Sequence, residues 1–93
     1  MFNNAYDAYS NYELCPRFDS RKSFYGKARI SNENGEIVLI SYTTRVAKIV
    51  DGKAYVFGLY SQTTTRHIKE FLKQFGFKAE TSKQIWNDYG VAY

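Results

Sequence analysis

The chain has 93 residues and a net charge of +4, from 13 Lys and Arg against 9 Asp and Glu. This length fits one domain, and a single cysteine excludes an internal disulfide and fits a reducing cytoplasm. The longest aliphatic run, Ile37–Ile40, is far shorter than the about 20 apolar residues that span a bilayer. The first residues also lack the pattern of a signal peptide. We therefore expect a cytoplasmic domain with no membrane association, whose core is built largely from rings because 18% of the chain is aromatic.

Residues 1–22 are rich in Tyr and Asn. Their aromatic side chains recur every three or four positions, at Phe2, Tyr6, Tyr9 and Tyr12. On a helix these rings would share one face, and Pro16 would end such a helix by Leu14. We predict an N-terminal arm over residues 1–22, either a short helix or a strap over the core, and a single domain over residues 23–93. In the alternative, Tyr6 and Tyr9 contact a partner, because Tyr offers a large contact area at a low entropic cost.

The middle of the chain has the pattern of an antiparallel sheet. Two pairs of residues that favour hairpin turns, Asn34-Gly35 and Asp51-Gly52, separate its apolar runs. The pattern predicts a four-stranded meander, with strands over residues 23–30, 36–43, 45–50 and 53–60. No Gly or Pro separates the second and third strands, so one long bent strand is an alternative. The second strand is apolar on both faces at Ile37–Ile40, which predicts a central strand covered on each side.

The pattern after residue 60 predicts two helices. The first, at about residues 63–75, carries an apolar stripe with helical spacing, formed by Ile68, Phe71, Leu72 and Phe75. Its start would be capped by Ser61, Thr63 or Thr64, and Gly76 would end it. The exterior would carry Glu70 and three possible phosphate contacts, Arg66, Lys69 and Lys73. A short second helix, capped by Thr81 or Ser82, is expected from about Ser82 to Tyr89, which completes an α+β fold with the helices packed on the sheet.

Residues for catalysis or metal binding are scarce. His67 is the only histidine and lies at the border of the apolar stripe, where a partly buried, hydrogen-bonded ring is expected. Cys15 is expected to be a small buried residue, as a lone Cys usually is, and no nearby His or basic cluster marks its thiol as a nucleophile. A Cys15–His67 pair stays open as an alternative, because spacing alone does not exclude it. One Cys and one His cannot form a structural zinc site, and no glycine-rich phosphate loop is present. We therefore expect a protein that is not an enzyme and that uses neither a metal nor a cofactor.

Basic residues are densest between Arg17 and Arg29. Within this stretch Tyr25, Lys27 and Arg29 alternate along the first predicted strand and would share one face. Sheets that bind nucleic acid stack bases on such rings and hold phosphates with such charges. A small nucleic-acid-binding domain is therefore one hypothesis. In the other, the same face contacts a protein partner, together with Arg45 and the Tyr-rich arm.

Three segments resemble a known group of proteins: SYTTRVAKIV (residues 41–50), DGKAYVFG (51–58) and YSQTTTRHIKEFLKQFGF (60–77). They are similar to small uncharacterised proteins encoded by phages and mobile elements of Gram-positive bacteria. The resemblance carries over no functional residue. It implies a bacterial host, in which small phage proteins without catalytic residues act by binding, as anti-CRISPR inhibitors of host defence do. Our leading hypothesis is therefore a non-catalytic inhibitor, monomeric or homodimeric, that occupies the surface of a host protein or protein–nucleic-acid complex.

Overall fold

A computed structural model describes residues 11–91 of the chain. These residues form one sheet and two helices, with the elements β1 (Asn11–Glu13), β2 (Ala28–Glu33), β3 (Glu36–Ser41), β4 (Thr44–Val50), β5 (Lys53–Val56), α1 (Gln62–Gln74) and α2 (Ser82–Tyr89). Each strand pairs antiparallel with the next one in the chain, in the order β1-β2-β3-β4-β5. The predicted α+β fold with an antiparallel sheet and two helices is confirmed. The predicted number of four strands is wrong, because the sheet has five.

The additional strand, β1, lies where the ring spacing predicted a helix or an arm. Tyr12 lies opposite Ile30 of β2, and the N–H of Leu14 donates to the carbonyl of Ala28 at 2.8 Å. Leu14 is fully buried. Local spacing cannot reveal this pairing, because the partner strand is distant in the sequence. The rest of the predicted arm, with Phe2, Tyr6 and Tyr9, lies outside the described residues.

The predicted hairpin turns are present. Asn34 and Gly35 have φ angles of 52° and 81°, and Asp51 and Gly52 have φ angles of 52° and 74°, as in the type I′ turns that match the twist of a hairpin. A further two-residue turn, Tyr42-Thr43, separates β3 from β4, so the alternative of one long bent strand is wrong.

Two predicted strand ranges need correction. The first predicted strand, over residues 23–30, was placed too early, because residues 25–26 form a turn and β2 runs from Ala28 to Glu33. The last, over residues 53–60, was too long, because β5 ends at Val56. In both cases alternation of apolar and polar residues continues past the point where the backbone stops pairing.

The helices lie on one face of the sheet. Ile68, Phe71 and Leu72 of α1 are buried in a single core with sheet residues that include Ile30 and Leu39. Ile85 of α2 completes the same core. Because apolar side chains from both layers are removed from water together, this shared core is what attaches the helices to the sheet.

The face of the sheet opposite the helices, here called the open face, carries part of the apolar run of β3. This run is the reason that a strand covered on both sides was predicted. Val38 lies on this face and is only 3% exposed. Two ion pairs between strands, Arg45–Glu33 and Lys48–Glu36, surround its position in the register. The Arg45–Glu33 pair bridges β3, since its partners stand on β4 and β2. Long polar side chains therefore take the place of a second apolar layer.

Both helices begin at predicted capping residues, and α1 ends at the predicted glycine. The hydroxyl of Ser61 accepts the N–H of Thr64, and Thr81 accepts the N–H of Gln84 at 3.0 Å. Gly76 ends α1 with a φ of 86°, while the N–H of Phe77 donates to the carbonyl of Leu72 at 2.8 Å. In residues 11–91 neither helix has the length and apolar character needed to cross a bilayer.

Candidate functional site

Two turns lie together at one end of the sheet. In the first, the N–H of Lys27 donates to the carbonyl of Phe24 at 3.0 Å, which closes a turn centred on Tyr25 and Gly26. The second is the Tyr42-Thr43 turn, and the N–H of Tyr42 donates to the carbonyl of Lys27 at 2.7 Å. This backbone bond ties the turns together. The Asn34-Gly35 and Asp51-Gly52 turns lie at the opposite end of the sheet.

Tyr25 has a backbone conformation that disfavours tyrosine. Its φ is 55° and that of Gly26 is 74°, the same combination found in the Asn34-Gly35 and Asp51-Gly52 turns, where Asn34 and Asp51 stand in place of Tyr25. Asn and Asp tolerate this region because their short polar side chains bond locally, whereas a bulky side chain is strained there. The Tyr25 side chain receives no burial in return, since it is 77% exposed.

Polar groups next to the turn hold it in place. The hydroxyl of Ser23 accepts the N–H of Tyr25 at 2.8 Å, and a carboxylate oxygen of Glu13 accepts the N–H of Gly26 at 2.9 Å. These bonds explain how the fold tolerates the strained backbone. They do not explain why a tyrosine stands there, because both use backbone N–H groups that any residue except proline would supply.

The two turns and the start of α1 border a cavity of about 220 Å³, which we call the Tyr25 hollow. Its lining is formed by Arg21, Ser23, Phe24, Tyr25, Lys27, Tyr42, Thr63, Arg66 and His67. Three of these residues are cationic, three carry aromatic hydrocarbon rings, and none is acidic. The hollow therefore combines positive charge with ring surfaces, two of which, Tyr25 and Tyr42, are more than half exposed.

The cations of the hollow are held near its rings. The ammonium of Lys27 lies 5.8 Å from the centroid of the Tyr42 ring, within the range of a cation–π contact. The guanidinium of Arg66 bonds to Asp19 at 3.0 Å, and the same carboxylate accepts the backbone N–H of Arg21 at 2.9 Å. Asp19, which does not line the hollow, thus offsets part of the positive charge of Arg66. The positive charges of Lys27 and Arg21 are not offset in this way.

His67 closes the inner side of the hollow. It is 1% exposed, and its Nδ1 lies 2.8 Å from the hydroxyl of Ser41, which in turn lies 3.0 Å from the hydroxyl of Thr64. The edge of Phe24 packs on its ring at a centroid distance of 4.7 Å. Burial lowers the pKa of His67, a change that the charge of Asp19 opposes and that of Arg21 reinforces. The ring is therefore neutral at pH 7.

The second nitrogen of His67, Nε2, is not the one that Ser41 contacts. Within residues 11–91 no group bonds to Nε2, and no buried side-chain nitrogen or oxygen there lacks a partner. The ring lines the hollow but is 1% exposed, so the contact of Nε2 with solvent is marginal. In one tautomer it would be an N–H donor and in the other an acceptor.

Two potential nucleophiles, Ser41 and Cys15, differ in their access to solvent. Ser41 is 2% exposed and lies in the sheet behind the His67 ring, so a substrate has no path to its hydroxyl. Cys15 is exposed, and the expectation that it is buried is wrong. Its thiol points to the carbonyl of Glu13 at 3.9 Å. Among the described residues no cluster of three or more His, Cys, Asp or Glu could hold a metal ion.

Glu70 positions the loop that leads to the hollow. Its carboxylate accepts the backbone N–H groups of residues 17, 18 and 19 at 2.8, 2.9 and 3.0 Å, and it is 1% exposed. The prediction that Glu70 lies on the helix exterior is wrong, because the loop after β1 crosses α1 at this position. Gln74 strengthens the crossing by donating to Glu70 and to the carbonyl of Cys15. The loop thereby carries Asp19 and Arg21 to Arg66.

The structure divides the predicted strand face. Tyr25 and Lys27 line the hollow, whereas Arg29 stands on the open face of the sheet, on β2. Arg45 stands on β4 and bonds to Glu33 through two nitrogens, which lowers the pKa of that carboxyl. The predicted set is therefore not one surface, and Tyr6 and Tyr9 lie outside the described residues.

The three basic residues of α1 also separate. Arg66 belongs to the hollow, and Lys69 lies with it beside a neighbouring polar depression. Lys73 is in the last turn of the helix, about 10 Å from Arg66 along the axis. Sequence reasoning missed Tyr42, Phe24 and Arg21 as neighbours of Tyr25. No sequence signal pointed to Tyr42, because neither Gly nor Pro marks the turn between β3 and β4.

The fold and the hollow define a small α+β domain with a cation-lined, ring-lined depression at one end of its sheet. The chain belongs to a family of unknown function, DUF8033, whose model matches residues 12–88. The predicted membership of an uncharacterised family is thereby confirmed, whereas the phage and Gram-positive setting stays a prediction. No curated protein and no solved structure matches the chain.

Proposed function

We propose that the chain is a non-catalytic binding protein that meets its partner through the Tyr25 hollow. The observation that carries the proposal is the tyrosine at a strained turn position with its ring in solvent. Strained residues persist where a function requires them. Asn34 and Asp51 in the equivalent turns provide the comparison, because they are the residues favoured when only the turn matters.

The composition of the hollow supports a contact with another molecule. Tyr and Arg are the residues most enriched among those that dominate binding energy at interfaces. Two exposed tyrosines and two arginines meet here around Lys27. The cavity of about 220 Å³ is smaller than the about 300–1,000 Å³ of sites that enclose a small molecule. It is therefore suited to receive one group of a larger partner.

A finer proposal concerns the setting. The partner would belong to a bacterial defence complex, and the chain would be a phage-encoded inhibitor that occupies its surface. This rests on the resemblance of residues 41–77 to phage and mobile-element proteins. Expression of the chain in bacteria with an active CRISPR system should restore phage plaques, and the Tyr25→Asn variant should restore fewer. Equal plaque numbers with and without the wild-type chain would remove this setting and leave the binding proposal intact.

Site-directed photo-crosslinking tests the binding proposal without knowledge of the partner. A photoreactive phenylalanine is placed at Tyr25 in one variant and at Lys53 in a control. Lys53 is exposed and stands at the opposite end of the sheet, next to the Asp51-Gly52 turn. Irradiation of bacterial cells that express each variant should give a discrete adduct from position 25 alone. Treatment of the adduct with nuclease then identifies the partner's class, because only a nucleic-acid adduct loses its added mass.

The proposal requires a difference between the two positions. An adduct of one size from position 25, absent from position 53, is the expected result. Equal, diffuse labelling from both positions, or a discrete adduct from position 53 alone, would contradict a contact surface at the hollow.

A further inference from the structure

We infer that the Tyr25 hollow receives one nucleotide of a single-stranded nucleic acid, with a phosphate on its cations and the base on its exposed rings. This inference rests on the proposed function, and it gives the chemical class of the partner. It also relocates the predicted nucleic-acid surface, from a strand face with Tyr25, Lys27 and Arg29 to the end of the sheet.

The charge of the hollow points to an anion. Arg21, Lys27 and Arg66 line it without any carboxylate. Asp19 engages Arg66 from outside and leaves the other two cations without a bonded carboxylate among the described residues. A phosphodiester satisfies several such donors at once, because each phosphate presents more than one charged oxygen.

The exposed rings of Tyr25 and Tyr42 indicate that the anionic group is attached to a flat ring that can stack on them. Lys27 lies 5.8 Å from the centroid of the Tyr42 ring, so a cation and a stacking surface stand within the size of one nucleotide. Tyr25 offers a second surface that is 77% exposed. An acidic peptide would use the cations but would leave these rings without a specific partner. Base–aromatic stacking uses both, and it tolerates any base because every base has a π face.

The same geometry selects single strands over duplexes. Bases in a duplex are stacked on one another and offer only their edges in the grooves, so a tyrosine ring reaches their faces only when they are unpaired. The cavity of about 220 Å³ has room for one such group. Arg29 follows Lys27 by two residues and stands on the open face of the sheet. It is placed to contact the next phosphate of the nucleic acid outside the hollow.

Fluorescence anisotropy with labelled oligonucleotides of about 12 nucleotides tests the inference. Single-stranded DNA, single-stranded RNA and a DNA duplex are compared at about 50 and 200 mM salt. Two phosphate contacts, one in the hollow and one at Arg29, predict that single-strand affinity falls about 7-fold over this range. Tyr25→Asn should weaken binding at least about fivefold through lost stacking. Lys27→Gln should weaken it and flatten the salt dependence.

The matched control is Lys53→Gln, which removes the same charge at the far end of the sheet. It should leave single-strand affinity within about twofold, since a non-contacting charge is largely screened beyond about 10 Å at 0.1 M salt. Circular dichroism of every variant confirms that each is folded before binding is compared. Arg21→Gln provides a second test of the cations, should Lys27→Gln disturb its turn.

Three results would overturn the inference: no single-strand binding at the lower salt, equal affinity for the duplex, or the same loss from Lys53→Gln as from Lys27→Gln. The last two would indicate general attraction of a polyanion to a basic protein. Failure of the inference is distinguishable from failure of the proposed function. A nuclease-resistant adduct from position 25 without oligonucleotide binding leaves a protein partner at the hollow, whereas a missing adduct removes the contact surface itself.

Discussion

Replacing Glu70 by Gln tests the internal support of the hollow. The carboxylate of Glu70 is 1% exposed and accepts three backbone N–H groups from the loop at residues 17–19. A hydrogen bond to a charged group contributes about 1.5–3 kcal/mol, against about 0.5–1.5 kcal/mol for a neutral one. Gln keeps the shape but removes the charge, and its NH₂ group faces N–H donors. A loss of about 1 kcal/mol at each of three bonds predicts a destabilisation of about 3 kcal/mol.

Urea unfolding followed by circular dichroism measures this difference directly. Glu80→Gln is the matched control, because Glu80 is exposed and its substitution should change the unfolding free energy by no more than about 0.5 kcal/mol. If Glu70→Gln were as mild as Glu80→Gln, Glu70 would behave as the exterior residue that the helical pattern predicted. The loop would then not depend on its carboxylate, and the account of how Arg21 reaches the hollow would be refuted.

Three further predictions concern the fold. Phe71→Ala removes a fully buried ring and should cost about 3–5 kcal/mol in urea unfolding, whereas the exposed Phe18→Ala should stay within about 0.5 kcal/mol; similar values for both would mean that α1 is misplaced. The folded state lowers the pKa of His67, so as the pH falls the unfolded chain binds a proton at this residue before the folded chain does. The contribution of neutral His67 to the unfolding free energy should therefore be fully present above pH about 6.5 and should decrease as the pH falls toward the folded-state pKa. The unfolding free energy of His67→Gln should lack this dependence on pH. If the variant shows the same dependence as wild type, another group causes it. Thr81→Ala should lower the unfolding free energy by about 1 kcal/mol, because it removes the N-terminal cap of α2. An unchanged melting curve would show that this cap does not stabilise the fold.

Features with a local cause were predictable from the sequence. The second helix has the predicted bounds, Ser82 to Tyr89, because the Thr81 cap and the residues that it bonds lie within one turn. The Asn34-Gly35 turn followed for the same reason, since both residues favour a positive φ whatever surrounds them. In each case the chemistry that decides the structure is contained in a few consecutive residues.

Features that depend on distant contacts were not predictable. β1 forms because β2 offers a free edge, and Glu70 is buried because a loop from before β2 crosses α1. Tyr25 was assigned to a strand, since Phe24 and Ala28 on either side keep the alternation of buried and exposed residues through the turn. The hollow itself brings together residues from that turn, the β3–β4 turn and α1, which no local pattern connects.

The unfolding free energy of Tyr25→Asn tests the central claim most directly. If tyrosine is present for binding, Asn at a φ of 55° should leave stability unchanged or raise it by up to about 1 kcal/mol, because it relieves the left-handed strain and removes no buried ring. The measurement requires no knowledge of the partner. A loss of more than about 1 kcal/mol would contradict the account, since the exposed ring would then stabilise the fold and its position would need no functional explanation.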